Sequence, residues 1–491
     1  MKAALACVLV AAAAALVPSA QAFANTEPFA AKQWYLTADH AWDYWPTMPQ
    51  LRPVKVAVID SGIDYGHPDF AGRIAAGRSF VPGSSWKEDT DGHGTFVAGE
   101  IAADPTNGVG IAGLAFNAQL LIAKVVKPDG SVSLEGEVAA IRWAVNEGAR
   151  VINLSLGGVR DPVDLQLDTY SPLEQAAVEY AYSKGAVVVA AVGNGPESPA
   201  TPWSYADYPA ALPHVLGVGA IRQDGSVPQY SNRDAAYLDL AAPGDDVFST
   251  IPRELVDTSR LACDSTPYSD CGPFEFRRAI GTSFAAPQVS AAAALLFGVD
   301  PSLRPDQVSW LLERSAADVT AGTGCSLCPV GRDSFTGWGA LDVDRALTML
   351  ATGKLPPPDG YEPNDDAGTW AKALGSLGRP RTIEATLDFW DDPIDVYRIT
   401  LHQGERLYAR LSPSIAGSAR LVLWKPGTDS VTDLRVPLSN EVAQATAVGP
   451  QQRLAFAVPV TGAYYVEVRL VRPTRATVAY TLAFATTSTS A

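Results

Sequence analysis

Five short apolar runs recur along the first half of the chain, and they constrain its fold more than any other feature: VKVAVID (54–60), LLIAKVV (120–126), RVINLSLG (150–157), AVVVAAVG (186–193) and VLGVGAI (215–221). Short apolar runs of this kind read as strands buried on both faces, the habit of parallel sheets. Helical patterns lie between them. Val138, Ile141 and Val145 fall on one helical face, and the segment from Pro172 to Lys184 has the same character. Strand and helix in alternation predict a doubly wound, mainly parallel α/β sheet. In such sheets reactive groups gather outside the carboxyl ends of the strands.

Beyond Leu350 the texture changes. KLPPPDG (354–360) reads as a stiff linker, and DVYRITL, ARLVLW, RLAFAVP and AYYVEVRLV after it alternate polar with apolar residues between turn formers. That pattern predicts a small all-β sandwich. A chain of 491 residues exceeds one hydrophobic core. The expected division is an export signal at 1–22, an α/β domain at 23–350, a linker at 351–360 and a β-sandwich at 361–491.

The first 22 residues set one Lys ahead of an apolar run ending in Ala20, Gln21 and Ala22. The run is short for a bilayer and ends in a small-residue cleavage pattern, so removal after Ala22 is expected rather than anchoring. No later run offers about eighteen continuous apolar residues, so the mature chain is expected outside the cell or in a periplasm, off the membrane and as a monomer. A net charge of −16 repels phosphate backbones and argues against nucleic acid as a partner. Once Cys7 leaves with the signal, Cys263, Cys271, Cys325 and Cys328 form an even set. Two disulfides are expected, with local pairing of 263 with 271 and 325 with 328. A zinc site is the rival, but only one CxxC occurs and no nearby His completes it.

Three motifs beside these elements each offer a partner for nucleophilic catalysis. DSGID (60–64) ends a strand in Asp60, where a partly buried carboxylate can hold an imidazole in one tautomer and stabilise its charged form. A turn Asp would suit the same spot. DGHGTFVAG (91–99) sets His93 between glycines at the start of a helix, a setting that His40, His67, His214 and His402 lack. GTSFAAPQVSAAAALLF (281–297) sets Ser283 at the start of an Ala-rich helix, whose N-terminus favours developing negative charge. A purely capping Ser would look the same. Asn194 in AAVGNGP follows a buried strand and can turn its amide toward such a site.

With these motifs in the order Asp, His, Asn, Ser, the chain resembles the subtilisin-like serine peptidases, an order distinct from chymotrypsin-type and α/β-hydrolase triads. The resemblance spans residues 27–350 and includes SLGG (155–158), YPAALPHVLGVGA (208–220), LAAPG (240–244) and GWGALDV (337–343). It implies hydrolysis of protein or peptide substrates through an acyl-enzyme. Asp60 would orient His93, His93 would take the proton of Ser283, and Asn194 would donate to the oxyanion, a contact worth roughly 3 to 4 kcal/mol in a subtilisin. It also implies two substrate-pairing segments, Ser131, Val132 and Ser133 on one side and Ser155, Leu156 and Gly157 on the other, along which an extended peptide adds as a strand. Gly157 would line the pocket for the residue before the scissile bond. Phe96 and Gln288 depart from the family's His at those places, and a change of packing rather than chemistry is expected. Gly195 stands where many relatives carry Glu, which points to broad, apolar-leaning specificity. Insertions at 160–170 and 253–278 flank the site.

Several members of that family hold calcium near the N-terminus, and the matching positions offer hard oxygen ligands: Glu27, Asp69 and Asn107, with carbonyls of Asp104, Val109 and Ile111. Few residues separate Ala22 from PFAAKQWYL, so the inhibitory prodomain usual in secreted relatives is not expected. The last domain resembles bacterial pre-peptidase C-terminal domains through YEPNDD (361–366) and DDPIDVYRITLHQGE (391–405). That likeness implies removal on maturation and a second ion at Glu362, Asp365, Asp391 and Asp395; a passive sandwich with solvated acids reads alike. Two other functions stay open: a catalytically silent binding or adhesion protein on the same scaffold, and an esterase, which shares acyl transfer but needs no peptide-pairing strands.

Overall fold

The computed structural model describes residues 25–255, 276–353, 355–356, 360–389, 392–445, 449–471 and 476–488. Residues 1–22, expected to be an export signal, together with Cys263, Cys271, Asp391 and most of the insertion at 253–278, lie outside the described residues.

Seven strands form one sheet: β1 (Val54–Asp60), β2 (Ile74–Ser79), β3 (Ala118–Lys124), β4 (Val151–Leu154), β5 (Val187–Ala191), β6 (Val215–Ile221) and β7 (Leu240–Pro243). Their order is β2-β3-β1-β4-β5-β6-β7 and every pairing is parallel. The five apolar runs supply β1, β3, β4, β5 and β6. The edge strand β2 is half exposed and carries no such run. From β1 the chain builds outward on one side through β2 and β3, then returns across β1 to lay β4 on its other side. The reversal falls at β1, whose last residue is Asp60, and crevices at such reversals are where open sheets bind ligands.

Seven helices accompany the sheet: α1 (Trp34–Ala38), α2 (His93–Ala102), α3 (Leu134–Asn146), α4 (Pro172–Ser183), α5 (Ala286–Val299), α6 (Pro305–Ser315) and α7 (Val343–Ala351). One core packs residues of α2, α5, α6 and α7 against one face of the sheet, and a second packs α3 and α4 against the other. Ala291, Ala292, Ala293 and Ala294 are fully buried, and their small side chains let α5 lie close along the strands. Together with the turn before it, the run Thr282–Val299 has the length and apolarity of a membrane span, which the sequence expectation overlooked, yet 89% of it is buried in this core.

The C-terminal unit is a sandwich of a five-stranded and a four-stranded sheet. Leu387, Leu411, Leu423 and Phe484 are among the residues filling the space between them. Burial alternates along the strand Glu405–Pro413, one face to the core and one to water. Side chains join this unit to the α/β unit: His214 Nε2 lies 2.9 Å from Asp365 Oδ2, Gln175 Nε2 donates to Asp366 Oδ2 at 3.3 Å, and Arg435 Nη2 donates to the Tyr170 carbonyl at 3.0 Å. Cys325 and Cys328 are bonded to each other.

Candidate active site

Asp60 ends β1 with 1% of its surface exposed, and both its carboxylate oxygens lie 2.9 Å from His93 Nδ1. That contact makes Nδ1 the donor and leaves Nε2 for proton transfer. His93 opens α2 directly after Gly92, whose φ of 99° suits glycine. Strand end and helix start are stitched together by Asp89, which the sequence analysis passed over. Its Oδ1 accepts from Gly92 N and Ser61 Oγ at 2.8 Å each, and its Oδ2 accepts from Thr95 N at 2.9 Å. Ser61 Oγ in turn accepts from Gly94 N at 2.8 Å. The available signal was an acid just ahead of a helix whose first N–H groups need acceptors. Burial alone would lower the pKa of His93, but the charge and hydrogen bond of Asp60 and the charges of Asp91 and Asp89 outweigh it and push it up to about 9.

Ser283 sits in the turn that leads into α5. Its Oγ donates to the Ser155 carbonyl at 3.2 Å, and Ser155 Oγ donates back to the Ser283 carbonyl at 2.7 Å. Ser283 and the segment 155–157 are thereby locked together. Asn194 follows β5, and its Oδ1 accepts from Thr282 N and Oγ1 at 3.1 and 3.2 Å while its Nδ2 donates to Glu197 Oε2 at 3.4 Å. Anchoring the amide oxygen beside the nucleophile leaves the amide nitrogen on the side of Glu197. Asp60, His93, Ser283, Ser131, Val132, Ser155, Leu156, Gly157 and Glu197 all line one cleft of about 630 Å³. Ser133 is not in its lining; its Oγ caps α3 by accepting from Gly136 N at 3.2 Å. At Gly157 a Cβ would stand 2.4 Å from the Tyr208 carbonyl, so no larger residue fits that wall.

The two departures from the family's His residues are packing solutions. Phe96 is fully buried, 4.5 Å between ring centroids from Phe284, whose own ring lies 5.4 Å from His93. Gln288 Nε2 donates to Glu100 Oε2 at 3.0 Å and to the Pro243 and Phe284 carbonyls at 2.8 Å, which gives the fully buried Glu100 a partner.

The expected calcium ligands come together. Asp69 Oδ1 accepts from Asn107 Nδ2 at 2.9 Å and its Oδ2 from Ile111 N at 3.2 Å, while Gly108 N donates to Glu27 Oε1 at 3.3 Å. Asp104 N donates to the Asp69 carbonyl, and Val109 N to Asn107 Oδ1. Glu27 Oε2 is buried without a hydrogen-bond partner. Burial, reinforced by the charges of Glu27 and Asp104, pushes Asp69 up to about 7. Buried acids short of donors are a donor set that a hard cation satisfies.

The second ion site needs correction. Glu362 and Asp395 cluster with Asp392, their oxygens within 4.8 Å of one another, and Asp392 Oδ1 is buried without a partner. Burial and then the neighbouring acids, Glu362 first, raise Asp392 well above the ordinary carboxylate range. Asp365 is not part of this cluster. It points to the α/β unit, where with Glu179 and His214 it forms a separate buried group.

A serine hydroxyl, an imidazole and a buried carboxylate in one cleft at the carboxyl edge of a parallel sheet are the groups of a serine hydrolase, and the family match narrows the class to serine-type endopeptidases. Residues 52–339 match the subtilase family, and the chain belongs to that family. It is 34% identical over 293 residues to subtilisin DY of Bacillus licheniformis, covering 60% of this chain and 90% of that one. Thermitase of Thermoactinomyces vulgaris is 33% identical over 307 residues, 62% of this chain and 94% of its own. A thermophilic serine proteinase of Bacillus sp. strain AK1 is 36% identical over 286 residues, 58% of this chain and 61% of its own length.

Proposed function

We propose that this protein is a secreted endopeptidase that hydrolyses peptide bonds with Ser283 as nucleophile, His93 as general base, Asp60 as the group that orients and charges the imidazole, and Asn194 with the Ser283 N–H as oxyanion donors. The observation that carries this reading is the two-oxygen contact of Asp60 with His93 Nδ1 at 2.9 Å in the cleft that Ser283 also lines. To hand its proton to His93 Nε2 the Ser283 hydroxyl must leave the Ser155 carbonyl, and catalytic hydrogen bonds commonly tighten only when substrate arrives. Attack on the carbonyl gives an oxyanion, the imidazolium returns its proton to the leaving amine, and water then frees the acyl group. A peptide laid between Ser131 to Ser133 and Ser155 to Gly157 adds as a strand read mainly through its backbone, which supports broad specificity. Secretion rests on the first 22 residues. Structural calcium at Glu27, Asp69 and Asn107 rests on the orphaned Glu27 oxygen, and a second cation at Glu362, Asp392 and Asp395 on the orphaned Asp392 oxygen.

Casein hydrolysis by the full chain, together with labelling of Ser283 by a fluorophosphonate, tests the reading. Ser283→Ala is expected to abolish both, with loss on the order of 10⁶-fold in kcat. A wild-type protein that neither hydrolyses nor labels, yet captures a partner tightly, would establish the silent scaffold instead.

A further inference from the structure

The substrate cleft is acidic. Glu137, Glu174, Glu197 and Asp91 line it alongside the reactive residues, and no Lys or Arg does among the described residues. Three of the acids in and beneath it are buried where charge is costly: Glu137 and Asp207 each expose 6% and Glu174 exposes 5%. Buried carboxyls without cationic partners hold their protons, and an arriving cation can exchange for those protons.

Asp207 lies beneath the wall of the cleft nearest the nucleophile. A side chain on Gly193 would begin 2.0 Å from its Oδ2, and one on Gly157 would begin 3.7 Å from its Cβ. Asp207 stands behind the lining rather than in it, and with glycine at both places only backbone separates its side chain from the cleft. Its Oδ1 is buried and has no hydrogen-bond partner. Burial, with help from the charge of Glu197 and against a hydrogen bond from the Arg160 backbone, pushes Asp207 up to about 8.

Glu137 and Glu174 meet farther along the cleft. Glu137 stands one turn into α3, just after the first pairing segment, and Glu174 in the first turn of α4. Their side chains are hydrogen-bonded to each other, and burial followed by the charge of Glu137 raises Glu174, so it keeps a proton and donates it to Glu137. Glu137 Oε1 remains buried without a partner. Leu134 and Leu156 also line the cleft. Aliphatic walls ending in a carboxyl pair match the stem and head of a long cationic side chain. Because Ser155 adjoins Ser283 and the segment runs away from it through Leu156, this second pocket takes a residue upstream of the scissile bond.

We propose that the cleft selects peptides with Lys or Arg immediately before the scissile bond, held by Asp207, and a second Lys or Arg farther upstream, held by Glu137 and Glu174. The inference rests on the peptidase reading above and narrows its broad, apolar-leaning specificity to cationic residues at two positions. Gly195 removes one acid from the rim, but Glu197 lines the cleft two residues on and Asp207 stands behind it.

Positional-scanning fluorogenic peptides, cleaved by the full chain, provide the test, with fluorophosphonate labelling of Ser283 as the check that the site is assembled. Wild type is expected to prefer Lys and Arg over Leu and Phe at the position before the bond, with a second cationic preference upstream. Asp207→Asn is expected to lower kcat/KM for Lys and Arg at the first position by about ten- to a hundredfold while Leu substrates change little. Glu137→Gln with Glu174→Gln is expected to flatten only the upstream preference. Wild-type cleavage after Leu or Phe with cations disfavoured overturns the inference and leaves the peptidase reading standing. A cationic preference that survives in variants whose Ser283 still labels overturns the assignment to these residues. Absence of both hydrolysis and labelling removes the peptidase reading and this inference with it.

Discussion

At the scale of single residues, His93 sets when the site can work. A general base must be neutral before it can accept a proton, and Asp60, Asp91 and Asp89 hold the imidazole's proton up to about pH 9. The expected outcome is a kcat/KM that climbs through the neutral range and levels off only near pH 9. Replacing Asp60 by Asn removes the strongest of those influences, so the midpoint should fall toward the roughly 6.5 of an ordinary His while kcat drops by about 10⁴-fold through loss of the oriented tautomer. A pH profile with a wild-type midpoint already near 6.5 would contradict the assignment. The same shift bears on stability with opposite sense. The folded value lies above the unfolded one, so the stabilisation from the Asp60–His93 pair is full below about pH 6.5 and is lost as pH rises through about 9. Asp207, raised to about 8, works in the same direction, because the folded protein gives up that proton less readily than the unfolded chain does. Activity and folding stability should therefore peak at different pH values.

At the scale of elements, the loop that follows α2 is the place to look for metal. Residues 104–111 wrap Asp69 through backbone and side-chain donors, yet leave Glu27 Oε2 buried and unsatisfied. Calcium filling that set would stabilise the fold by about 2.7 kcal/mol at a hundredfold excess over Kd. EDTA should lower Tm by several degrees, and Glu27→Gln should remove the effect. Affinity should rise with pH up to about 7 and level off above it, since Asp69 must surrender a proton held to about that value. An identical Tm with and without EDTA would dispose of the site. These elements also divide what the sequence displays from what it hides. Asp60, His93, Asn194 and Ser283 were legible because each stands where a regular element starts or ends, flanked by glycines or small residues that have no other local reason to cluster. Glu137 and Glu174 were not, because an acid in the first turn of a helix is what the helix dipole favours anyway. Only the packing of α3 against α4 turns both toward one cleft. Asp207 gave no signal either, since its meaning depends on Gly157 and Gly193 lying above it. Asp89 could have been read from its place before α2, whereas Asp365 could not, because its partner belongs to another unit.

At the scale of the whole molecule, α4 connects the cleft to the C-terminal sandwich. Glu174 in its first turn lines the cleft, Gln175 reaches Asp366, and one turn later Glu179 stands 3.6 Å from His214 Nε2, which itself contacts Asp365 at 2.9 Å. The His214 ring stacks on Tyr182 of the same helix with 3.6 Å between centroids. One imidazole thus stands between two buried carboxylates, one from each unit. Removing it deletes the side chain through which Asp365 contacts the α/β unit, and losing one partner of a buried hydrogen bond costs about 1 to 3 kcal/mol. His214→Ala should therefore loosen the sandwich from the α/β unit, visible as faster proteolysis within residues 353–360 and a separate, lower unfolding step for the sandwich. Adding Asp365→Asn to that variant should recover part of the loss, because a buried amide left without its partner is less costly than a buried carboxylate. The effect should also reach the substrate. With α4 less firmly held, the upstream cationic preference should weaken while the preference before the scissile bond, which depends on Asp207 across the sheet, stays as it was. Equal proteolysis rates and unchanged upstream selectivity in His214→Ala would mean that the sandwich is held by its other contacts, such as Arg435 on the Tyr170 carbonyl, and that α4 carries no message between the two units.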